Sequence, residues 1–294
     1  MMVRGRTAVL VVNGFDRRGR FGAFPVAEAR AFPWIELCLE RVARHTGSGD
    51  FRVLVWDNAG LPEHRRAMRR FDFVTVVHSG GPQGSRSHAA ALDLLVSRAA
   101  DAEYVLTLDT DALPLRDGWL DDLLDRLDSG AVLAGAYRDE MAPRLRPFLH
   151  VSCLAARRSD LLALPVSFAR GRTQDVGQNL SLAVERREPG RGRLSPLWRS
   201  NAYDAHFLLG GVYGDLVYHQ GAGSRRARFH TSPSESDPMS APAVDQRDER
   251  IRMRLRDAAF EDLDHLVAVL SGSRGNDLGL AMRAREPRLR RRSS

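Results

Sequence analysis

Four short apolar runs dominate the first 110 residues, and each ends at the same kind of boundary. TAVLVV (7–12) stops at Asn13-Gly14, and FRVLVW (51–56) stops at Asp57-Asn58. FVTVVH (73–78) stops at Ser79-Gly80-Gly81, and YVLTL (104–108) at Asp109-Thr110-Asp111. Apolar runs without polar alternation are strands buried on both faces. Helix-like segments lie between them: Pro33 to His45, with Ile35, Cys38, Leu39 and Val42 at helical spacing, and the Ala- and Leu-rich Ser87 to Ala100. Strands alternating with helices predict an α/β fold with a mostly parallel central sheet and helices on both faces. Right-handed crossovers put the C-terminal ends of these strands on one edge, where open α/β sheets bind ligands. The polar residues that close each run are therefore expected to converge on one crevice.

The second half is less regular. Trp119 to Leu127 and Asp175 to Arg187 read as helices, and Val132 to Ala136 and His150 to Ala155 as strands. LVYHQGAGS (216–224) reads as a short strand emptying into a glycine loop. Residues 231–247, rich in Ser, Pro and Asp, read as a linker or mobile loop. An amphipathic helix is expected over 248–272, with Ile251, Leu255, Phe260, Leu263, Leu266 and Leu270 on its apolar face. That helix reads as a C-terminal appendage whose face offers a surface for a homo-oligomer. Residues 283–294 form an Arg-rich tail with nothing to build a core, expected to be disordered.

Composition narrows the function classes. The chain has 294 residues and a net charge of +7, and all of its 44 basic residues are arginine. Arginine used to the exclusion of lysine points to a coding bias, as in a GC-rich bacterial genome, more than to chemistry. The charge is modest and concentrated in the tail, which favours a solvated segment over a nucleic-acid surface and leaves peripheral membrane contact to that tail alone. Cys38 and Cys153 lie far apart in apolar stretches and read as buried small hydrophobes of a reducing compartment. No apolar run approaches the roughly 20 residues of a membrane span. The N-terminal apolar stretch is too short for a secretory signal, so a cytoplasmic protein is expected.

The paired carboxylates Asp109 and Asp111 close a buried strand at the ligand edge. Two hard oxygen donors there suit Mg²⁺ or Mn²⁺ held together with substrate phosphates. Capping of the turn before Pro114 is the plainer reading, and the accompanying ligand-type residues weigh against it. A second Asp-x-Asp, Asp262-Leu263-Asp264, falls inside the amphipathic helix, where outward charges need no special account.

Taken together, these stretches resemble the family-2 glycosyltransferases of the GT-A fold. AVLVVNGF matches the first strand, and IELCLERVARHTGSGDFRVLVWDNAG the first helix and second strand. GPQGSRSHAAALDLL matches a glycine-then-arginine helix start, and EYVLTLDTDALPLRDGWLDDLL the metal strand with its Gly-Trp-Leu helix. The resemblance covers roughly the first 125 residues and implies a GT-A domain over 1–230, with a nucleotide-binding half (1–125) and an acceptor half (126–230). By resemblance, Asp57 reads the nucleobase edge, and Asn13, Gly14 and Phe15 shape the base pocket. Gly84 and Arg86 approach the nucleotide from a helix start, where backbone N–H groups favour anions. Asp111 is the metal ligand, Asp109 lies beside the ribose and the metal, and His219 reaches the metal or diphosphate. Asp175 is the general base, although Gln174 stands where the family has an acidic residue. Asp175 read on its own is an ordinary helix cap, and a lone histidine such as His219 is more often structural.

The implied activity is inverting transfer of a sugar from a nucleoside-diphosphate sugar to an acceptor, dependent on a divalent cation. No Gln-x-x-Arg-Trp sequence occurs, which argues against a processive synthase. A sugar-phosphate nucleotidyltransferase would want a Gly-x-Gly-x-Arg-like loop where this chain has NGFDRRGRFG. A non-catalytic nucleotide-sugar-binding protein, which keeps the pocket and loses the base, is the other rival.

Overall fold

The computed structural model describes residues 5–14, 26–47, 49–80, 85–140, 145–169, 171, 174–187, 193–221 and 246–285. The first elements are β1 (Thr7–Asn13), α1 (Val26–Ala31), α2 (Trp34–His45), β2 (Phe51–Asp57), α3 (Pro62–Met68), β3 (Val74–Ser79) and α4 (Ser85–Arg98). Next come β4 (Tyr104–Asp109), β5 (Ala112–Pro114), α5 (Trp119–Asp128), β6 (Leu133–Arg138), β7 (Phe148–Arg157) and α6 (Arg158–Ala163). The chain continues with α7 (Gln178–Arg187), β8 (Leu194–Leu197), β9 (Tyr203–Asp204), β10 (Gly211–Tyr213), β11 (Val217–His219), α8 (Gln246–Leu270) and β12 (Arg283–Ala284).

The main sheet has seven strands in the order β3-β2-β1-β4-β7-β6-β8. Every neighbouring pair is parallel except the two that β7 makes, with β4 and with β6. This is the expected α/β architecture with a mostly parallel sheet, and one reversed strand was not foreseen. Because β7 runs backwards, its beginning, Phe148 to His150, lies at the edge where β1, β2 and β4 end. A smaller sheet, β10-β11-β5, stands beside that edge.

Core packing follows the apolar runs. Val9, Val11, Val53, Val55, Leu106 and Leu108 face one cluster, and Ala8, Leu10, Leu54 and Val105 face the other. Alternate residues of one strand thus feed opposite cores, as a sheet covered on both sides requires. α2 buries Ile35, Cys38, Leu39 and Val42 against the first cluster. Each such side chain contributes about 1.5–3 kcal/mol by leaving water, so Leu39→Ala would cost about 2–5 kcal/mol.

The expectations about the C-terminus need correction. α8 is no appendage: Ile251, Leu255, Leu263, Leu266 and Leu270 belong to the same cluster as Val9 and Leu106. The apolar face expected to receive a second copy is covered by the chain's own core. The helix also breaks at Asp262 (φ −157°, ψ 91°), whose Oδ1 accepts from the His265 N–H at 2.9 Å and so caps the second half. α8 already begins at Gln246, inside the expected linker, and Arg283-Ala284 pair with β9 rather than opening a disordered tail. Residues 231–245 and 286–294 lie outside the described residues.

A buried ionic clamp ties α8 to α1. Arg252, fully buried, donates to Glu28 at 3.1 Å and to Glu249 at 2.9 Å, and Arg256 also pairs with Glu28. The same turn of α8 meets the smaller sheet, since Gln220 Nε2 donates to the Arg252 carbonyl at 3.2 Å.

Candidate active site

Asp109 is the last residue of β4, and the chain then turns through Thr110 and Asp111 into β5. β5 pairs antiparallel with β11, placing His219 opposite Ala112, and the Gln220 N–H donates to the Asp111 carbonyl at 3.0 Å. This three-residue pairing brings together residues more than a hundred positions apart. One ligand atom from each of Asp109, Asp111 and His219 falls within 4.8 Å of the others. His219 Nε2 lies 3.6 Å from Asp111 Oδ1 and 3.9 Å from Asp109 Oδ2. Their side chains are 18%, 10% and 8% exposed, in the same order as the triad is named, so the cluster is recessed.

Two carboxylates and an imidazole at this spacing fit a divalent cation, since hard oxygens dominate the donor set and one nitrogen is shared. Both cysteines register the concentrated negative charge. Cys153 is pushed up to about 12 by burial and then by Asp109, and Cys38 is raised by burial and then by Asp111 and Asp109. Both are buried free thiols, as expected, and stay protonated. The Cys38 thiol donates to the Ala112 carbonyl at 3.6 Å, under the turn that carries the carboxylates.

Two histidines outside the expected set border this triad. His88, on the first turn of α4, lies 3.5 Å from Asp109 Oδ1. His150 stacks on His219 with ring centroids 5.6 Å apart. His150 is aimed there by a β-bulge. Gly135 of β6 pairs with Leu154, yet Tyr137 pairs with Leu149, so β7 carries extra residues at 150–153. Bulges of this kind re-aim side chains beside active sites. The loosened backbone is held by Thr107 Oγ1, which donates to the Val151 carbonyl at 2.7 Å, and by the Ser152 N–H, which donates to His150 Nδ1 at 3.1 Å. With Nδ1 accepting, Nε2 is the ring nitrogen that carries hydrogen. That Nε2 lies 3.9 Å from Asp175 Oδ2.

Asp175 therefore borders the Nε2 edge of His150, whose ring face stacks on His219. It precedes its helix: Gly177, at φ 75°, interrupts the chain, and α7 starts at Gln178 rather than at Asp175. The Val176 N–H donates to Asp175 Oδ1 at 2.9 Å, and the Asp175 N–H donates to Gln178 Oε1 at 3.0 Å, which fixes the loop. Asp175 Oδ2 is the oxygen that faces His150. Arg138, at the end of β6, adds positive charge nearby: burial lowers its pKa, and Glu140, Tyr213 and Asp175 together raise it above the usual arginine value.

Among the residues expected about the nucleobase, Asp57 and Asn13 form a hydrogen-bonded network at the strand ends. Asp57 is fully buried, and its oxygens accept from Asn13 Nδ2 (2.8 Å), the Gly60 N–H (3.0 Å) and Ser79 Oγ (3.0 Å). It ties the ends of β1, β2 and β3 together. Asn13 Nδ2 also donates to His64 Nδ1 at 3.1 Å, while His64 Nε2 donates to the Ala29 carbonyl at 3.2 Å. His64 is a further member that sequence reasoning missed. Gly14 follows β1 half-buried, and Arg86 is exposed on α4. Phe15 and Gly84 lie outside the described residues.

No protein-family model matches the chain. No curated protein matches it either. Solved structures do align with it. The mannosyltransferase PcManGT from Pyrobaculum calidifontis, in complex with GDP-Man and Mn²⁺, is 19% identical over 91% of this chain and 70% of that one, with a TM-score of 0.45. Residues 1–349 of S. aureus TarS, in complex with UDP-GlcNAc, are 14% identical over 91% of this chain and 71% of that one, with a TM-score of 0.47. At that level of likeness the function rests on the geometry of the chain's own residues.

Proposed function

We propose that the protein is a metal-dependent glycosyltransferase that moves a sugar, with inversion, from a nucleoside-diphosphate sugar to an acceptor. The observation that carries this reading is the arrangement about His150. The cluster suited to a cation and diphosphate meets the face of that ring through His219, and a loop carboxylate, Asp175, meets its Nε2 edge. A donor and an acceptor need that separation between the departing group and the attacking one. In this reading residues 1–125 take the nucleotide and residues 126–230 present the acceptor.

Asp109, Asp111 and His219 would hold Mg²⁺ or Mn²⁺, which when bound supplies positive charge against the diphosphate. Asp175 Oδ2 takes the proton of the acceptor hydroxyl as that oxygen bonds to the anomeric carbon. The anomeric C–O bond to the diphosphate breaks, and its electron pair leaves with the nucleoside diphosphate. His150 Nε2–H, 3.9 Å from Asp175 Oδ2, and the cationic Arg138 favour this orientation of the carboxylate. Gln174 does not enter this scheme.

The deciding experiment is Asp175→Asn. Asparagine keeps the loop hydrogen bond to the Val176 N–H, so donor binding by calorimetry should be unchanged. Transfer should fall by roughly 10²–10⁴-fold, the contribution of a positioned general base. Transfer at the wild-type rate would remove Asp175 from the chemistry.

A further inference from the structure

Register along the main sheet shows what stands beside Asp175 on the acceptor side. Leu133 is level with Ala156 and hence with Val105, and Gly135 is level with Leu154 and hence with Thr107. Beyond the bulge Tyr137 pairs with Leu149, at the beginning of β7 and so at the edge where β4 ends. β8 runs parallel to β6 with Leu197 beside Ala136, so Trp198 follows at the same level. At about 4.8 Å per strand, β6 lies about 10 Å from the metal strand β4 and β8 about 14 Å.

These two side chains form an aromatic pair, with ring centroids 4.6 Å apart at 63°. Tyr137 packs against the cluster that holds Val176 and Leu180, the same face of the sheet from which Asp175 is presented. Trp198 is 45% exposed, so one indole surface stands open to solvent. The surroundings are charged. Burial first, and then the carboxylates of Glu185 and Asp139, raise the Tyr137 phenol, and Arg138 follows directly in the chain.

We infer that Tyr137 and Trp198 form the acceptor subsite, and that its occupant is a pyranose ring of a glycan acceptor. A flat indole takes the C–H face of a sugar, while carboxylates accept from its equatorial hydroxyls and a guanidinium donates to its oxygens. A lipid chain or apolar peptide gains nothing from the carboxylates and would bring them an uncompensated desolvation cost. The platform also continues the catalytic edge on the side of β7, β6 and β8, opposite the strands assigned to the nucleotide. The assignment of acceptor, as against any sugar ligand, rests on the transferase reading above.

The test is saturation-transfer NMR on the full chain with methyl glucoside, galactoside and mannoside, and with maltose, cellobiose and lactose. At least one should receive saturation on the C–H protons of a single ring face. Trp198→Ala should abolish that transfer and Trp198→Phe should retain it, and both should keep a single cooperative melt, lowered modestly in Trp198→Ala by loss of the Tyr137 contact. In turnover, Trp198→Ala should raise the acceptor KM about two- to tenfold and leave the donor KM alone. Absence of saturation in every sugar, equal saturation in Trp198→Ala, or saturation only in the alkyl chain of a maltoside detergent would overturn the subsite. The two readings fail separately. If the transferase reading is wrong, sugar saturation persists in a protein with no Mn²⁺-dependent transfer. If the subsite is wrong, Mn²⁺-dependent transfer persists with the same acceptor KM in Trp198→Ala.

Discussion

His150 and His219 stack with their ring planes 29° apart, so the bulged strand β7 and the short strand β11 meet ring to ring beside the carboxylate triad. His150→Asn keeps an acceptor for the Ser152 N–H but cannot reach Asp175 or cover His219. Transfer should fall by about 10–100-fold, the usual effect of losing a side chain that supports a metal ligand. Parallel Mn²⁺ titration and turnover on one preparation would check this, and an unchanged rate would make His150 purely structural.

The two Asp-x-Asp sequences should separate cleanly. Asp111→Ala should abolish turnover and the calorimetric signal of Mn²⁺ binding, and chelator should do the same to the wild type. Asp262→Ala should leave turnover intact but cost about 1 kcal/mol of stability, because it removes the cap on the second half of α8. Equal turnover in both variants would refute the metal assignment.

Asp57→Ala should first appear as a folding defect. It strips a partner from Asn13, Gly60 and Ser79 at once. The expected loss is about 3 kcal/mol or more, read as a lower urea midpoint. A stable variant with weakened nucleotide binding would restore Asp57 to direct contact with the base.

Glu140 predicts a pH effect on stability. Burial pushes its pKa up, but Arg138 and Arg199 outweigh that and hold it below the usual glutamate value of 4.5. A depressed carboxyl stabilises the fold above its unfolded pKa, and the contribution is lost as pH falls through the folded value. Glu140→Gln should therefore be less stable than wild type by about 3–5 kcal/mol at neutral pH. The difference should shrink on acidification below pH 4.5. A gap independent of pH in chemical denaturation would show that packing, not charge, is at stake.

Truncations should divide at residue 286. Removing 286–294 should leave activity on a soluble acceptor unchanged. Starting the deletion at 283 also removes β12 and the Arg285 contact to the Arg199 carbonyl at 2.9 Å, and should lower the melting temperature. Equal melting temperatures would mean that this strand pair adds nothing.

The parts of the fold that the sequence made legible were those in which one residue type repeats without interruption. Continuous apolar runs announced β1 to β4, and the polar pairs after them announced the edge where Asp109 and Asp111 lie. The reversal of β7 was hidden, because a strand buried on both faces reads alike in either direction. So was the bulge at His150, which depends on how β6 and β7 come into register. Asp57 carries a related ambiguity: a carboxylate after a strand looks the same in sequence whether it faces a ligand or three neighbouring donors. The apolar face of α8 was read correctly, but amphipathicity does not say whether the covering surface belongs to the same chain.

The pairing of Glu28 with Arg252 spans 224 residues of chain. At the ribosome, with synthesis at about 5–20 residues per second, Glu28 waits on the order of 10–45 s for its partner. α1 must spend that interval with an unmatched carboxylate, and the first cluster lacks the leucines of α8 that complete it. The nascent first half thus keeps part of that cluster exposed, and should be held by chaperones, until the chain is nearly finished. A message truncated before codon 246 should yield a product that stays bound to them, however complete its carboxylate cluster.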